Sequence, residues 1–346
     1  MEFNEKIIIF KNDRLGDLLH GAAAINNIIE KNPEKEIIIF LSKVSKNFYF
    51  LFKKKNTKLR VLNYHLTIVE KIKILIFLIK NKLQKIYILS PKKFYFYLPL
   101  LFVRTKFYAI CMNGVNGYRR PNFLLRKFLY KFLINNRETL KRRKSIRLLQ
   151  LELTNANIEI KKNIDSKLHV PKSHNLKKYL PHNYLLVHFK KNIAAKLGWG
   201  VVELHLLLSH LQKYNPNIVL IKDLEKDELN LIFRKKYKTL DFENNLFYNN
   251  ESTILFFDNI EGEDLYNLVK HSKKVIAFHG TIPSIALLNN IPVLDLYYCD
   301  INNKKDYHSY KNAFCEFKPK YYGYDFIIPK KNIEKTLKKM NFAIKN

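Results

Sequence analysis

The sequence predicts an α/β protein made of two halves, each an open parallel sheet flanked by helices. Two observations lead there. An apolar run passes through a short charged loop into an amphipathic helix near the start of the chain, and the same pattern restarts around residue 184. A block at 275–298 then repeats strand, turn, helix and strand.

In the first half, Ile7 to Phe10 read as a fully buried strand. Leu18, Ala22, Ile25 and Ile29 recur at helical spacing until Pro33, and Ile37 to Leu41 begin a second strand. The loop between strand and helix holds Asp13, Arg14, Leu15, Gly16 and Asp17. Ligands of open α/β sheets bind outside the carboxyl ends of the strands, so this loop is the first place to look for chemistry. Gly16 permits a tight turn, Arg14 offers a cation to an anionic substrate, and Asp17 is placed to act as a general base. The plainer alternative is that Asp17 only answers the exposed N–H groups and dipole of its helix. No Gly-x-Gly-x-x-Gly and no Walker-type lysine occurs here, which argues against nucleotide binding at this loop.

In the second half, Tyr184 to Phe189 form a strand, Lys190 to Gly200 a loop, and Leu204, Leu207, Leu208 and Leu211 mark a helix before the strand Ile218 to Ile221. Lys196, expected at a helix start, would hold a diphosphate, because its ammonium and the helix N–H groups both favour anions. Trp199, the only tryptophan, is explained equally well by packing. The third block reads as strand Val275 to Phe278, turn His279-Gly280-Thr281, helix Ile282 to Leu288 and strand Val293 to Leu296. Gly280 allows close backbone approach, Thr281 and the helix start offer donors to phosphate, and His279 adds a hydrogen bond or a cation.

Taken in order, the Arg14-Leu15-Gly16-Asp17 loop, Lys196 with Trp199, and the 275–298 block resemble the heptosyltransferase-like family 9 of glycosyltransferases over most of the chain. The resemblance implies a GT-B fold, two facing Rossmann-like domains with an interdomain cleft. Residues 1–165 would form the acceptor domain and 166–346 the donor domain, with a terminal helix at Lys330 to Met340 able to cross back. It implies inverting, metal-independent transfer in which Asp17 deprotonates the acceptor hydroxyl. Donor binding would fall to Lys196, Glu225, His279, Gly280, Thr281 and Ser284, with Asp223 the alternative to Glu225 for a ribose. Acceptor binding would fall to Asp13, Arg14, Gly16, Arg119 and Arg120. The donor would be a nucleotide sugar, by default ADP-heptose, with no further cofactor. The acceptor would be a lipopolysaccharide core or related surface glycolipid at the cytoplasmic face of the inner membrane. The chain departs from the family at the third block. The family carries Asp-Thr-Gly at the turn and a later histidine, where this chain has His279-Gly280-Thr281 and Ser284. That departure leaves the donor sugar open, and it motivates a second reading, a GT-B binding protein that has lost transfer.

Composition narrows the classes further. A chain of 346 residues is comfortable for two domains with separate cores. Cys111, Cys299 and Cys315 are scattered and odd in number, which points to a reducing compartment without disulfide or zinc spacing. The N-terminus does not read as a signal peptide, and the longest apolar runs are about ten residues, short of the ~20 needed to span a bilayer. The net charge of +32 invites nucleic acid as a partner, but lysine is spread over the whole chain with abundant asparagine and isoleucine, and no zinc finger, RNP motif or helix-turn-helix is visible. After Arg119-Arg120-Pro121 a helix is predicted with Phe128, Leu129, Phe132 and Leu133 on its apolar side and Lys141 to Lys144 behind it. Such a helix would lie on an anionic bilayer. A basic peripheral protein without catalysis is therefore a third reading. The domain junction is expected at 155–183, where Pro171, Ser173, His174 and Pro181 gather.

Overall fold

The computed structural model describes residues 5–115, 118–136, 138–139, 146–155, 176–223, 227–242, 246–248, 252–298, 324–327 and 329–345. The chain divides into two compact units, Met1–His169 with His308–Phe317, and Val170–Tyr307 with Lys318–Asn346. The predicted junction falls largely outside the described residues, as do Cys299 and Cys315.

The first unit runs β1 (Lys6–Lys11), α1 (Leu15–Glu30), β2 (Glu36–Ser42), β3 (Thr57–Leu62), α2 (Ile68–Ile79), β4 (Leu83–Ile88), β5 (Lys106–Val115), β6 (Tyr118–Arg120), β7 (Lys131–Asn136) and α3 (Ile146–Leu153). Its sheet has the order β3-β2-β1-β4-β5-β6, with β7 also paired to β5. All these pairings are parallel except that of β6. The apolar strands β1 and β2 are buried almost throughout, as a parallel sheet covered on both faces requires. Ile8, Phe10, Ile38, Phe40, Ile86 and Ile88 share one core with Ile74 and Leu78 of α2. Lys11 points the other way, toward α1, which packs on α3 through Ala23, Ala24 and Leu151. From β1 the chain builds outward to β2 and β3, then returns on the other side of β1 as β4. The gap between the ends of β1 and β4 is thus a topological switch point, where such sheets bind ligands.

The helix predicted after Pro121 is not formed. Asn122 caps a single turn, Phe123–Arg126, its Oδ1 accepting from the Leu125 N–H at 3.1 Å. The chain then extends as β7, with Phe132 beside Ala109 and Ile134 beside Cys111. Phe128, Leu129, Phe132 and Leu133 fit a helical period, but ladder pairing with β5 satisfies this backbone, and the strand wins. Lys141 to Lys144 lie outside the described residues.

The second unit runs β8 (Leu185–Phe189), α4 (Lys191–Lys196), α5 (Val201–Gln212), β9 (Ile218–Lys222), α6 (Glu228–Lys236), β10 (Lys238–Asp241), β11 (Leu246–Tyr248), β12 (Ile254–Asp258), α7 (Gly262–Lys270), β13 (Lys274–Phe278), α8 (Thr281–Leu288), β14 (Val293–Leu296), β15 (Tyr324–Ile327) and α9 (Ile333–Lys345). The sheet order is β11-β10-β12-β9-β8-β13-β14-β15, parallel except for β11. Here the switch point lies between β8 and β13. The last helix stays with this unit: Ile333 and Met340 enter its core, and Tyr214 donates to Asn341 Oδ1 at 2.8 Å. Both units are doubly wound α/β sheets.

Candidate active site

At the end of β1 the sequence turns from isoleucine to Lys11, Asn12 and Asp13, and the structure fixes each of them. Lys11 is 1% exposed, its ammonium 2.8 Å from Asp13 Oδ2. Its stem runs so close to α1 that a Cβ on Gly21 would stand 2.8 Å from Lys11 Cε, which is why this helix carries glycine there. Asn12 is fully buried, donating to the Asn63 carbonyl and accepting from the Tyr95 hydroxyl at 2.8 Å. The Ser42 hydroxyl at the end of β2 donates to the Asp13 carbonyl. The loop is therefore held from three neighbouring strand ends before any ligand arrives.

Arg14 is the N-cap residue of α1 and Asp17 sits in its first turn. Among the described residues the Asp17 carboxylate has no hydrogen bond or ion pair, so it does not serve as a side-chain cap. It lines a cavity of about 750 Å³ with Lys11, Asp13 and Arg14. Tyr64, His65, Leu66 and Lys71 supply one wall, and Lys92, Lys93, Phe94 and Tyr97, which follow β4, another. The cavity thus opens at the switch point of the first sheet. Lys92 donates to the Tyr64 carbonyl and lies 4.1 Å over its ring, while the Arg14 guanidinium lies 5.6 Å from the same ring. Asp17 is reached by water through the mouth but enclosed by protein behind. That enclosure raises its pKa above the ordinary aspartate value, Lys11 opposes the rise, Asp13 adds to it, and Arg14 and Lys92 oppose it further.

The structure therefore joins Asp13, Arg14 and Asp17 in one cavity and places Gly16 at the second residue of α1. Arg119 and Arg120 lie on β6, opposite Asn113 and Met112, and Met112 lines the cavity. Their side chains lie outside the described residues. Sequence reasoning missed Lys11, Tyr64 and Lys92. The signal for Lys11 was there, a charged residue closing an apolar strand.

In the second unit the turn after β13 is built around Gly280, whose φ of +152° and ψ of −136° exclude side-chain-bearing residues. A Cβ at this position would lie 3.4 Å from Lys190 Nζ. Lys190 follows β8, so the two meet at the second switch point. His279 Nδ1 lies 2.8 Å from Asp295 Oδ2, a fully buried carboxylate on β14, and its ring meets Tyr297 edge-on. Thr281 begins α8, and the Ser284 hydroxyl is spent on the Gly280 carbonyl at 3.0 Å within that helix.

Lys196 is not at a helix start. It closes α4, exposed, with its ammonium 5.6 Å over the Tyr298 ring. The residues expected to be loop fold as a short helix after Lys190, which puts Lys190 and Lys191 at the helix start instead. Trp199 is buried in the core, edge-on to Phe278, and its indole N–H donates to the Lys330 and Lys331 carbonyls at 3.0 and 3.1 Å. Packing accounts for it. Asp223 lies 3.2 Å from His188 Nε2. Burial alone would raise its pKa, but the His188 hydrogen bond and the charges of His188, Lys190 and Lys222 hold it below the usual range. Glu225 lies outside the described residues.

No protein-family model and no curated protein matches the chain. Solved structures do. A family 9 glycosyl transferase from Veillonella parvula DSM 2008 superposes with a TM-score of 0.62 at 13% identity, covering 99% of this chain and 92% of that one. The E. coli heptosyltransferase WaaC, solved with ADP, gives 0.58 at 10% identity, covering 98% of each chain. The UDP-GlcNAc 2-epimerase of Methanocaldococcus jannaschii gives 0.56 at 12% identity, over 99% and 93%. At these identities the likeness is one of fold. The resemblance read from the sequence motifs is thus met by the architecture, a GT-B fold of the kind found in family 9 glycosyltransferases and in UDP-GlcNAc 2-epimerases.

Proposed function

We propose that this protein is a glycosyltransferase that moves a sugar from a nucleotide sugar to a hydroxyl of an anionic acceptor. The observation that carries this reading is Asp17, an unpartnered carboxylate with a raised pKa inside a cavity otherwise rich in cations and aromatic rings. Such a group suits proton removal from an alcohol as its oxygen attacks an anomeric carbon, with inversion there. Arg14, Lys71 and Lys92 favour an acceptor bearing phosphate or carboxylate, and Tyr64 offers a ring against which a sugar packs. Asp13 holds Lys11, Gly16 shapes the helix start, and Arg119 and Arg120 are assigned to acceptor capture from their place beside Met112.

The second unit takes the donor. Gly280 lets a diphosphate approach the backbone, Thr281 and the N–H groups of α8 donate to it, and Lys190 supplies the cation, with Lys196 beside Tyr298 as a second. Asp223, its pKa held below the usual range, would accept from a ribose hydroxyl. Positive charge comes from side chains and helix dipoles, so the reading calls for no metal ion. The donor class by resemblance is an ADP-sugar such as ADP-heptose. The acceptor is a lipopolysaccharide core or related glycolipid, handled at the cytoplasmic face of the inner membrane.

Asp17→Asn tests this directly. Removing a general base lowers turnover by roughly 100- to 10,000-fold. Release of nucleoside diphosphate from ADP-, GDP-, UDP- and CMP-sugars, assayed with a phosphorylated glycolipid acceptor, should fall by that factor while nucleotide binding is kept. Wild-type turnover in the variant refutes the assignment. Conversion of a UDP-sugar without any acceptor would instead favour epimerase chemistry on the same fold.

A further inference from the structure

The layer over one face of the first sheet presents apolar side chains outward as well as inward. On α2, Ile74 and Leu78 enter the core, yet Ile68, Ile72, Ile76 and Ile79 are 74%, 50%, 47% and 72% exposed. Their spacing aligns them as one stripe on the outer side of the helix, where an ordinary surface helix is polar. The neighbouring segments repeat this. Leu101 and Val103 are exposed beside the buried Leu98, and Phe123, Leu124 and Phe128 are exposed beside Leu125 and Leu129. Leu75, Phe77, Phe102 and Leu125 all pack against the same core cluster, so these outward residues belong to one side of the unit.

The charge on this side is almost all positive. Between Ile37 and Arg137 the sequence holds one carboxylate, Glu70, and it is occupied in the capping box of α2 with Thr67. Lys71, Lys73 and Lys80 flank the isoleucine stripe, and Arg104, Arg126 and Lys127 flank the phenylalanines. Among the described residues no helix is long and apolar enough to cross a membrane.

We propose that this face docks on a bilayer containing anionic lipids, with α2 lying in the interface and the Phe123 to Phe128 segment inserting beside it. An apolar stripe bordered by lysines is the pattern of an interfacial helix, whereas the core of a protein interface is depleted of lysine. The cavity fits this placement: Lys71 of α2 and the half-exposed Tyr97 both line it, so it opens at the border of the docking face. This deepens the glycolipid reading by placing the acceptor's membrane against the acceptor cavity.

Flotation of the full chain with vesicles tests it. Wild type should float with mixed phosphatidylcholine–phosphatidylglycerol vesicles, not with phosphatidylcholine alone, and should be released by salt. Ile72→Ser/Ile76→Ser and, separately, Phe123→Ser/Phe128→Ser should each lower the partition coefficient roughly tenfold or more with the thermal midpoint kept. The proposal is overturned by absence of flotation on anionic vesicles, or by variants that float like wild type. It is overturned equally by a stable dimer that these substitutions dissociate, which would make the face a contact between two copies. Asp17→Asn should float normally, so loss of transfer and loss of docking are read separately.

Discussion

Lys11→Met isolates the one cation that is buried among the described residues lining the Asp17 cavity. Methionine keeps the length of the stem in the slot beside Gly21 and removes only the charge. Lys11 is the strongest influence opposing the rise of the Asp17 pKa, and Asp13 pushes the same carboxyl upward. Without the ammonium, the Asp13 repulsion is opposed by Arg14 and Lys92, each a weaker influence than Lys11. An opposite charge close to a carboxylate favours its ionised form, and water at the cavity mouth screens that effect without removing it. The Asp17 titration should therefore move upward, followed by NMR at its carboxyl carbon and assigned with Asp17→Asn. No substrate is needed. Stability should fall by about 2–4 kcal/mol at neutral pH, since Asp13 loses its 2.8 Å partner in a nearly closed slot. The sign with pH follows. Without Lys11 the Asp17 carboxyl binds its proton more tightly in the folded state, so the deficit shrinks as pH falls through its raised value. An unchanged Asp17 titration, or a urea midpoint like that of wild type, would refute the account.

Gly280→Ala forces a side chain into a backbone conformation that costs about 1–3 kcal/mol and presses on the Lys190 ammonium; calorimetry should show weaker nucleotide binding and thermal scanning a lower midpoint. Trp199→Phe removes the donor to the Lys330 and Lys331 carbonyls and leaves a gap beside Phe278, for a loss of about 2–3 kcal/mol in urea unfolding. Nucleotide affinity should stay unchanged if its role is packing. For Glu36, burial would raise the pKa, but hydrogen bonds and charge from Lys58 and Lys6 hold it below the ordinary value. Its contribution is therefore present above the ordinary carboxylate range and lost as pH falls through the lowered folded value. Glu36→Gln should cost about 1–2 kcal/mol at pH 7 by urea unfolding and approach nothing in acid.

Element types were legible where one period dominates. Ile7 to Phe10 is an uninterrupted apolar run, the helix after Leu15 has one clear apolar face, and Val293 to Leu296 is apolar but for Asp295; the structure extends these by a residue or two at most. The segment 128–133 misled because its apolar residues satisfy two periods, and ladder pairing with a strand some twenty residues away decided between them. Lys196 misled for a local reason: three residues of good helix formers, Ala194 to Lys196, continue a turn already begun at Lys191. The cavity was half legible. Its strand-end residues stand in one loop of sequence, whereas Tyr64 and Lys92 reach it from other connections whose convergence depends on the strand order.

The same distinction explains why, if the second unit takes a nucleotide sugar as proposed, its phosphate end is more legible there than its sugar end. Phosphate recognition rests on backbone geometry, a glycine at +152° and a helix start, and these survive reordering of the turn's side chains. Sugar recognition rests on which hydrogen-bonding groups face the ring. Where the family has a carboxylate, which only accepts, this chain has His279, which can donate, and the carboxylate reappears behind it as Asp295 on the adjacent strand. The pair keeps a carboxyl in that part of the unit but buries it. On the proposed reading a ligand hydroxyl meeting this turn finds an imidazole hydrogen-bonded to a buried carboxyl, so the ring position it touches differs in donor and acceptor pattern from that of a ligand built for an exposed aspartate.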